Sequence, residues 1–327
     1  MRVLVTGGAG FIGSNFVRRT LQDAYPGLEG AEVIVYDALT YAGNLANLAP
    51  IADSPRYFFV HGDIRDEQLL AEVLPGVDVI VHFAAESHVD RSVRSASPFV
   101  DTNVAGTQRL LDAALRAGVG RFVHVSTDEV YGSIAEGSWD EDEPLLPNSP
   151  YSASKASSDL IVRAYHRTYG MNVSTTRCSN NYGPYHFPEK LIPLFVTNLI
   201  DGHHVPLYGT GENVRDWLHV DDHTRGIAMV VTGGRPGEVY NIGGGTELSN
   251  RELTGLLLEA TGRDWSYVDF VEDRLGHDLR YSVSIDKIRR ELGYEPQVDF
   301  QEGLVAVVEW YREHRDWWEP LKAKAGL

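Results

Sequence analysis

Apolar positions in the first half of the chain fall into short runs separated by amphipathic stretches. The runs at residues 2–6, 32–37, 57–63, 77–84, 121–127 and 172–178 predict strands. Residues 12–24, 66–73, 98–117 and 151–169 carry helical spacing between them. This strand–helix alternation predicts an α/β fold, a Rossmann-type doubly wound parallel sheet with helices on both faces. After about residue 180 the segments shorten, and Gly, Pro and aromatics become more frequent at 182–193 and 206–211. Residues 239–242 read as one more buried strand returning to the first sheet. Ser249-Asn250-Arg251-Glu252 has the capping-box form and predicts a helix reaching Ala260. Residues 284–292 and 300–314 predict two more helices. The chain shows no repeat or linker, so its two domains are expected to interleave. Residues 1–180, with about 214–246 returning, form the expected nucleotide domain. About 181–213 and 247–327 form a smaller α/β substrate-binding domain.

Composition narrows the choices. The 327 residues are 43% apolar, enough for a substantial core. A net charge of −17 argues against nucleic acid held by a general phosphate field. The single cysteine, Cys178, excludes an internal disulfide and agrees with a reducing, cytoplasmic setting. It reads as a small buried residue near a strand end. His203-His204 is a pair in a Gly-flanked turn, no metal-type Cys/His spacing occurs, and no metal is expected. No apolar run is long enough to cross a bilayer, and the N-terminus lacks a signal-peptide layout.

Chemistry enters at three places. Gly7, Gly10 and Gly13 follow the first strand with G-x-x-G-x-x-G spacing and open the first helix. Such a turn lets backbone approach a pyrophosphate at the positive helix end. Asp37 ends the second strand, where a carboxylate accepts bonds from a ribose and repels a 2′-phosphate, favouring NAD. Tyr151 and Lys155 are four apart, hence on one helix face. An ammonium beside a tyrosine lowers its proton affinity, which suits a base that helps oxidise an alcohol beside a nicotinamide. Thr127 supplies a hydroxyl at a strand end. Asp128 and Glu129 add one acid and one base, more than oxidation alone requires, and suited to removing water from an oxidised sugar.

These motifs resemble the extended short-chain dehydrogenase/reductase superfamily and, within it, the dTDP-glucose 4,6-dehydratase family. The resemblance spans nearly the whole chain. It is carried by residues 84–92, by Ser126-Thr127-Asp128-Glu129-Val130-Tyr131-Gly132, by Tyr151 to Lys155, and by Cys178-Ser179-Asn180-Asn181-Tyr182-Gly183-Pro184-Tyr185 on to Glu189-Lys190-Leu191. Arg215-Asp216-Trp217 and Arg274-Leu275-Gly276-His277-Asp278 complete it. The resemblance implies NAD contacts at Phe11, Ile12, Gly13, Asp37, Ala38, Leu39, Thr40, Asp63, Ile64, Phe83, Ala84, Ala85, Glu86, Ser87, Thr102, Tyr151, Lys155 and Asn181. It implies nucleotide-sugar contacts at Ser87, Thr127, Asn180, Lys190, Leu191, Pro206, Leu207, Tyr208, Arg215, Asn250, Arg274, Leu275, Gly276, His277 and Asp278. Arg215 and Arg274 would clamp the diphosphate, since a guanidinium grips phosphate oxygens as a fork. The implied activity oxidises C4, expels water across C5 and C6, and returns the hydride to C6. A homodimer through a four-helix bundle of helices 98–117 and 151–169 is implied as well. A 4-epimerase of the same superfamily would need no C5/C6 acid–base pair, and a decarboxylase acting on a sugar acid is another alternative. A non-catalytic nucleotide-sugar sensor would have no use for an intact Thr127, Tyr151 and Lys155.

Overall fold

The computed structural model describes residues 1–273 and 277–326. Strand β1 (Arg2–Thr6) runs through the glycine loop into α1 (Phe11–Leu21). Then come β2 (Glu32–Asp37), β3 (Tyr57–His61), α2 (Glu67–Val73) and β4 (Val79–His82). Helix α3 (Val89–Arg94) and a single turn, α4 (Ser97–Phe99), lead through a π-helical stretch (Val100–Gly106) into α5 (Thr107–Ala117). β5 (Arg121–Thr127), α6 (Pro150–Tyr169) and β6 (Val173–Cys178) complete the alternation. Beyond them lie β7 (Asn180–Tyr182), α7 (Leu191–Asp201), β8 (Val205–Tyr208), β9 (Val214–His219), α8 (Val220–Gly233), β10 (Val239–Ile242) and β11 (Glu247–Ser249). α9 (Asn250–Thr261), β12 (Val268–Val271), α10 (Asp286–Leu292), α11 (Phe300–Glu313) and α12 (Arg315–Ala325) close the order.

Seven strands form one sheet in the order β10-β6-β5-β4-β1-β2-β3. Every pairing in it is parallel, and β10 returns to its edge beside β6. Val3, Leu4, Val5, Ile80, Val81, Phe122 and Val123 are fully buried there, as a sheet covered on both faces requires. The strand order reverses between β1 and β4, which opens a crevice beyond their carboxyl ends. Register brings Thr6 level with His82, and Thr127 level with Cys178. β11-β9-β7 and the pair β12-β8 form two small sheets. They join α7, α9, α11 and α12 around a second core that includes Phe195, Trp217, Leu257, Leu304, Tyr311 and Trp318.

The predicted strands form, trimmed by a residue or two. The helix expected over 98–117 is broken by the π-helical stretch. There Asn103 accepts from the Glu86 amide at 2.9 Å, and its own amide donates to the Glu86 carbonyl and to Ser154 Oγ. The widened turn thus carries a tie between the loop after β4 and α6. Helix α9 starts with the expected box: Ser249 Oγ accepts from the Glu252 amide at 3.1 Å, and Glu252 accepts in return from the Ser249 amide at 2.8 Å. Helices α3, α7, α8 and α12 were not predicted. α7 reads Leu-Ile-Pro-Leu-Phe-Val, a run with the look of a buried strand, and its Pro193 is tolerated because it lies in the first turn.

Candidate functional site

One cleft of about 400 Å³ lies over the crevice. Its floor at the first strand is bare backbone. A Cβ on Gly7 would fall 2.7 Å from the Ala84 amide nitrogen, and one on Gly13 would fall 2.3 Å from the Gly7 carbonyl oxygen. Gly10 caps α1 with no side chain, so the first amides of that helix face the cleft. That is a cradle shaped for a pyrophosphate. Asp37 stands beside it, buried, with Oδ2 accepting from the Ala9 amide at 2.9 Å and Oδ1 from the Leu39 amide at 2.8 Å. Burial raises its carboxyl, while the two amides pull the other way. Asp63 is held below its ordinary value first by the Arg65 guanidinium, which bonds it at 2.9 Å and 2.6 Å. The cradle and the Asp37 carboxylate together fit NAD.

Gly7, Gly10, Phe11, Ile12, Gly13, Asp37, Ala38, Thr40, Asp63, Ile64, Thr102 and Asn181 line the cleft, as do residues 83–87. Leu39 does not. Its backbone takes a left-handed turn (φ +49), its amide serves Asp37, and its side chain packs on the apolar core of the seven-stranded sheet.

The reacting groups converge from two elements. β5 ends at Thr127, whose oxygen caps a 3₁₀ turn (Asp128–Tyr131) by accepting from the Glu129 amide at 3.3 Å. α6 begins at Pro150 behind a Ser149–Ser152 capping box, which places Tyr151 in its first turn. The Tyr151 amide donates to Ser92 Oγ at 3.1 Å. One turn on, Lys155 Nζ donates to the Val125 carbonyl at 2.8 Å. Thr127, Asp128, Glu129, Tyr151 and Lys155 all line the cleft.

Burial sets their proton affinities. Asp128 is pushed well above the carboxylate range by burial first, then by the Glu129 and Asp216 charges. Its Oδ1 accepts from the Thr127 hydroxyl at 3.2 Å, and its buried Oδ2 has no hydrogen-bond partner among the described residues. Burial therefore favours the protonated, acid form of Asp128. Lys155 is lowered to about 8 by burial. Tyr151 departs from expectation. Burial, followed by the Glu129 charge, raises its phenol well above 10, and Lys155 does not reverse this. The cost of desolvating a phenolate exceeds what one partly titrated amine offers.

Of the expected nucleotide-sugar contacts, Ser87, Asn180, Lys190 and Leu191 also line the cleft, and Lys190 Nζ donates to the Ser87 carbonyl at 3.1 Å. Pro206, Leu207, Tyr208, Arg215, Asn250, His277 and Asp278 lie outside that lining. Leu207 is buried in the second core. Arg215 lies over the Tyr281 ring, 4.4 Å from its centroid, and donates to the Asp278 carbonyl at 2.9 Å. Asp278 accepts from Tyr281 OH and from the Asn148 amide. The His277 ring meets Tyr208 edge-on at 6.3 Å. Arg274, Leu275 and Gly276 lie outside the described residues.

Several lining residues are not among the contacts expected from the sequence. Tyr41 carries the Arg91 guanidinium 3.9 Å from its ring centroid and bonds Ser87 Oγ at 3.2 Å. Arg91 also bonds Glu189 at 3.1 Å, which joins α3 to the loops of Tyr41 and Glu189 at the rim. Asn47, Tyr185, His186, Trp317 and Leu321 form another wall. Trp317 and Leu321 stand some 270 residues from the loop they face.

Comparison with known proteins agrees with this geometry. The family model described as GDP-mannose 4,6 dehydratase matches residues 4–307. A dTDP-glucose 4,6-dehydratase of Streptomyces niveus is 62% identical over 323 residues, 99% of this chain and 96% of the relative. A solved dTDP-glucose 4,6-dehydratase of Streptomyces venezuelae, with NAD and dTDP bound, is similar at a TM-score of 0.98 and 69% identity. That match covers 98% of this chain and 100% of the other. A UDP-glucose 4-epimerase of Thermotoga maritima, solved with UDP-glucose, is similar at a TM-score of 0.88 and 33% identity, covering 96% and 99%.

Proposed function

The chain belongs to the GDP-mannose 4,6 dehydratase family and, within it, to the dTDP-glucose 4,6-dehydratases, and from that membership and the cleft we infer its reaction. It is an NAD-dependent enzyme that converts dTDP-glucose to dTDP-4-keto-6-deoxyglucose. The observation that carries the assignment of roles is Asp128, a buried carboxyl whose proton is favoured by burial and by the Glu129 charge, in the same cleft as Glu129, Thr127, Tyr151 and Lys155.

The glycine loop, Asp37 and the rim at 83–87 would hold NAD, which when bound takes hydride from C4 and gives it back at C6. Thr127 Oγ1 and the Tyr151 oxygen hold the C4 hydroxyl, and Tyr151 takes its proton. The chain's own groups keep Tyr151 protonated, so it acts only where positive charge stands against it. Lys155, anchored on Val125, fixes that end of α6 and lends part of the charge. Once C4 is a ketone, the C5 proton is acidic. Glu129 removes it, and Asp128 gives its proton to the C6 hydroxyl, which leaves as water. Glu129 then returns a proton to C5 as C6 is reduced.

Ser87, Asn180, Lys190 and Leu191 take the sugar. Residues 206–208, Arg215, Asn250 and 274–278 serve the nucleotide end. The domains divide as 1–180 with about 214–246, against about 181–213 with 247–327. Two copies pair through α5 and α6, a reading supported by exposed Val100, Leu115, Leu160 and Tyr169. A cytoplasmic site of action suits the lone buried thiol, and among the described residues no helix is long and apolar enough to cross a membrane.

The test is incubation with dTDP-glucose and catalytic NAD, with mass spectrometry following the loss of one water. Asp128→Asn and Glu129→Gln should each slow dehydration by about 10²–10⁴-fold, the usual weight of a general acid or base, while NAD still binds. Dehydration at full speed in both variants would remove the assigned roles. An unchanged sugar with the wild-type enzyme would remove the function.

A further inference from the structure

Asn47 lies in a 3₁₀ turn (Leu45–Ile51) after β2 and is almost fully buried. Its side-chain amide donates to the Ala9 carbonyl of the glycine loop at 2.9 Å. Its side-chain oxygen accepts from the indole nitrogen of Trp317 at 2.9 Å. Its main-chain carbonyl accepts from the Arg18 guanidinium of α1 at 2.6 Å. One residue therefore joins the cradle, the first helix and α12, which also packs into the second core through Trp317 and Trp318.

A second set of contacts repeats the tie. The Arg18 guanidinium lies 4.2 Å from the Tyr185 ring centroid. Tyr185 has a left-handed backbone (φ +66) and meets Trp317 edge-on at 5.5 Å. Trp317 and Leu321 both face the cleft. So the outer wall opposite the glycine cradle belongs to the last helix and is pinned to the cradle by one buried hydrogen bond and one stacked arginine. A buried bond of this kind is costly to open, because both partners lose water and gain nothing in exchange.

We propose that Asn47 and Trp317 form a latch that retains the bound dinucleotide through the catalytic cycle. The proposal rests on the NAD-dependent reading above. In that reaction the electrons leave C4 and must return to C6 of the same sugar. A cofactor that escapes between the two steps strands a 4-keto sugar with its C6 unreduced. Its release must therefore be slower than turnover, and α12 must swing off the cradle before release can occur.

The experiment measures exchange of bound NAD for isotopically labelled NAD in the purified holoenzyme, together with the melting temperatures of the loaded and stripped forms. Trp317→Phe keeps an aromatic ring and removes the donor. Leu321→Ala opens the same wall without touching the hydrogen bond. Exchange should accelerate by about tenfold in Trp317→Phe, the ratio expected for one lost buried hydrogen bond, and by a smaller factor in Leu321→Ala. The gap between loaded and stripped melting temperatures should shrink in both. A merely structural role would lower both temperatures equally and leave exchange at the wild-type rate, and that result overturns the latch. If Trp317→Phe does not fold, Leu321→Ala decides alone, and unchanged exchange overturns the proposal. A wild-type enzyme that holds NAD but leaves dTDP-glucose untouched would defeat the functional reading and not the latch.

Discussion

Lys155 carries its ammonium in a place that disfavours it. Burial lowers its pKa from 10.5 to about 8, against the pull of the Asp159 charge one helical turn on. A group whose folded pKa lies below its unfolded value costs stability when protonated. The cost is largest below pH 8 and is relieved as the pH rises towards 10.5. A shift of this size corresponds to about 3 kcal/mol, reduced by about 1 kcal/mol for the bond to Val125 that the charge makes possible. Lys155→Met should therefore be about 2 kcal/mol more stable than the wild type in urea at pH 7 and nearly equal to it at pH 10, while losing dehydration. Equal stability at pH 7 would mean that water reaches the amine. Asp128 shows the same principle with opposite sign: burial that weakens the hold of Lys155 on its proton strengthens that of Asp128. Acid and ammonium stand in one cleft because both are kept from water, and each is tuned by its neighbours.

α6 works on two sides. Tyr151 and Lys155 face the cleft from its first turns, whereas Leu160 and Tyr169 lie exposed on its outer side. If α5 and α6 pair between copies, Leu160→Asp should halve the mass found by light scattering, since a carboxylate cannot be buried there unpaired. A monomeric wild type would remove the pairing. The same helix shows what the sequence reveals. Its Tyr–Lys spacing, its Ser-Pro start and the run before it can be read directly, because each is a local pattern with one physical outcome. The parallel strands are legible for the same reason: fully buried strands are continuous apolar runs. Helices α7, α8 and α12 are not. α7 is apolar on nearly every face, α8 is capped by the His219 ring, and α12 contains Pro320. Leu39 shows a finer limit, since its left-handed turn directs the amide at Asp37 and the side chain into the core. Half of the cleft was legible because it lies within a few residues of a strand end. The wall of Asn47, Tyr185 and Trp317 exists only through tertiary contact.

At the scale of the whole molecule, buried histidines govern how the fold meets acid. Burial lowers His186 and His223 to about 3 and His124 to about 4, and holds His82 well below its ordinary value. Each remains neutral in the fold, while in the unfolded chain each takes a proton below about pH 6.5. Their contribution is complete above pH 6.5 and is lost as the pH falls towards the folded values. Asp37, Asp128 and Asp216, raised by burial, act in the opposite sense and flatten the total curve. A difference between two proteins isolates one histidine. His223 is suited to this, because it lies on α8 and its Nδ1 meets Asn181 Oδ1 at 2.8 Å, away from the acid–base pair. His223→Gln should lose stability with falling pH less steeply than the wild type between pH 6 and 4, by about 1.4 kcal/mol per pH unit, one proton's worth. Urea unfolding across that range measures it. Parallel curves would mean that His223 titrates alike in the folded and unfolded chain, which burial forbids. The slope also bears on the cleft, since Asn181 lines it and a protonated His223 could no longer offer the neutral ring that the surrounding core accepts.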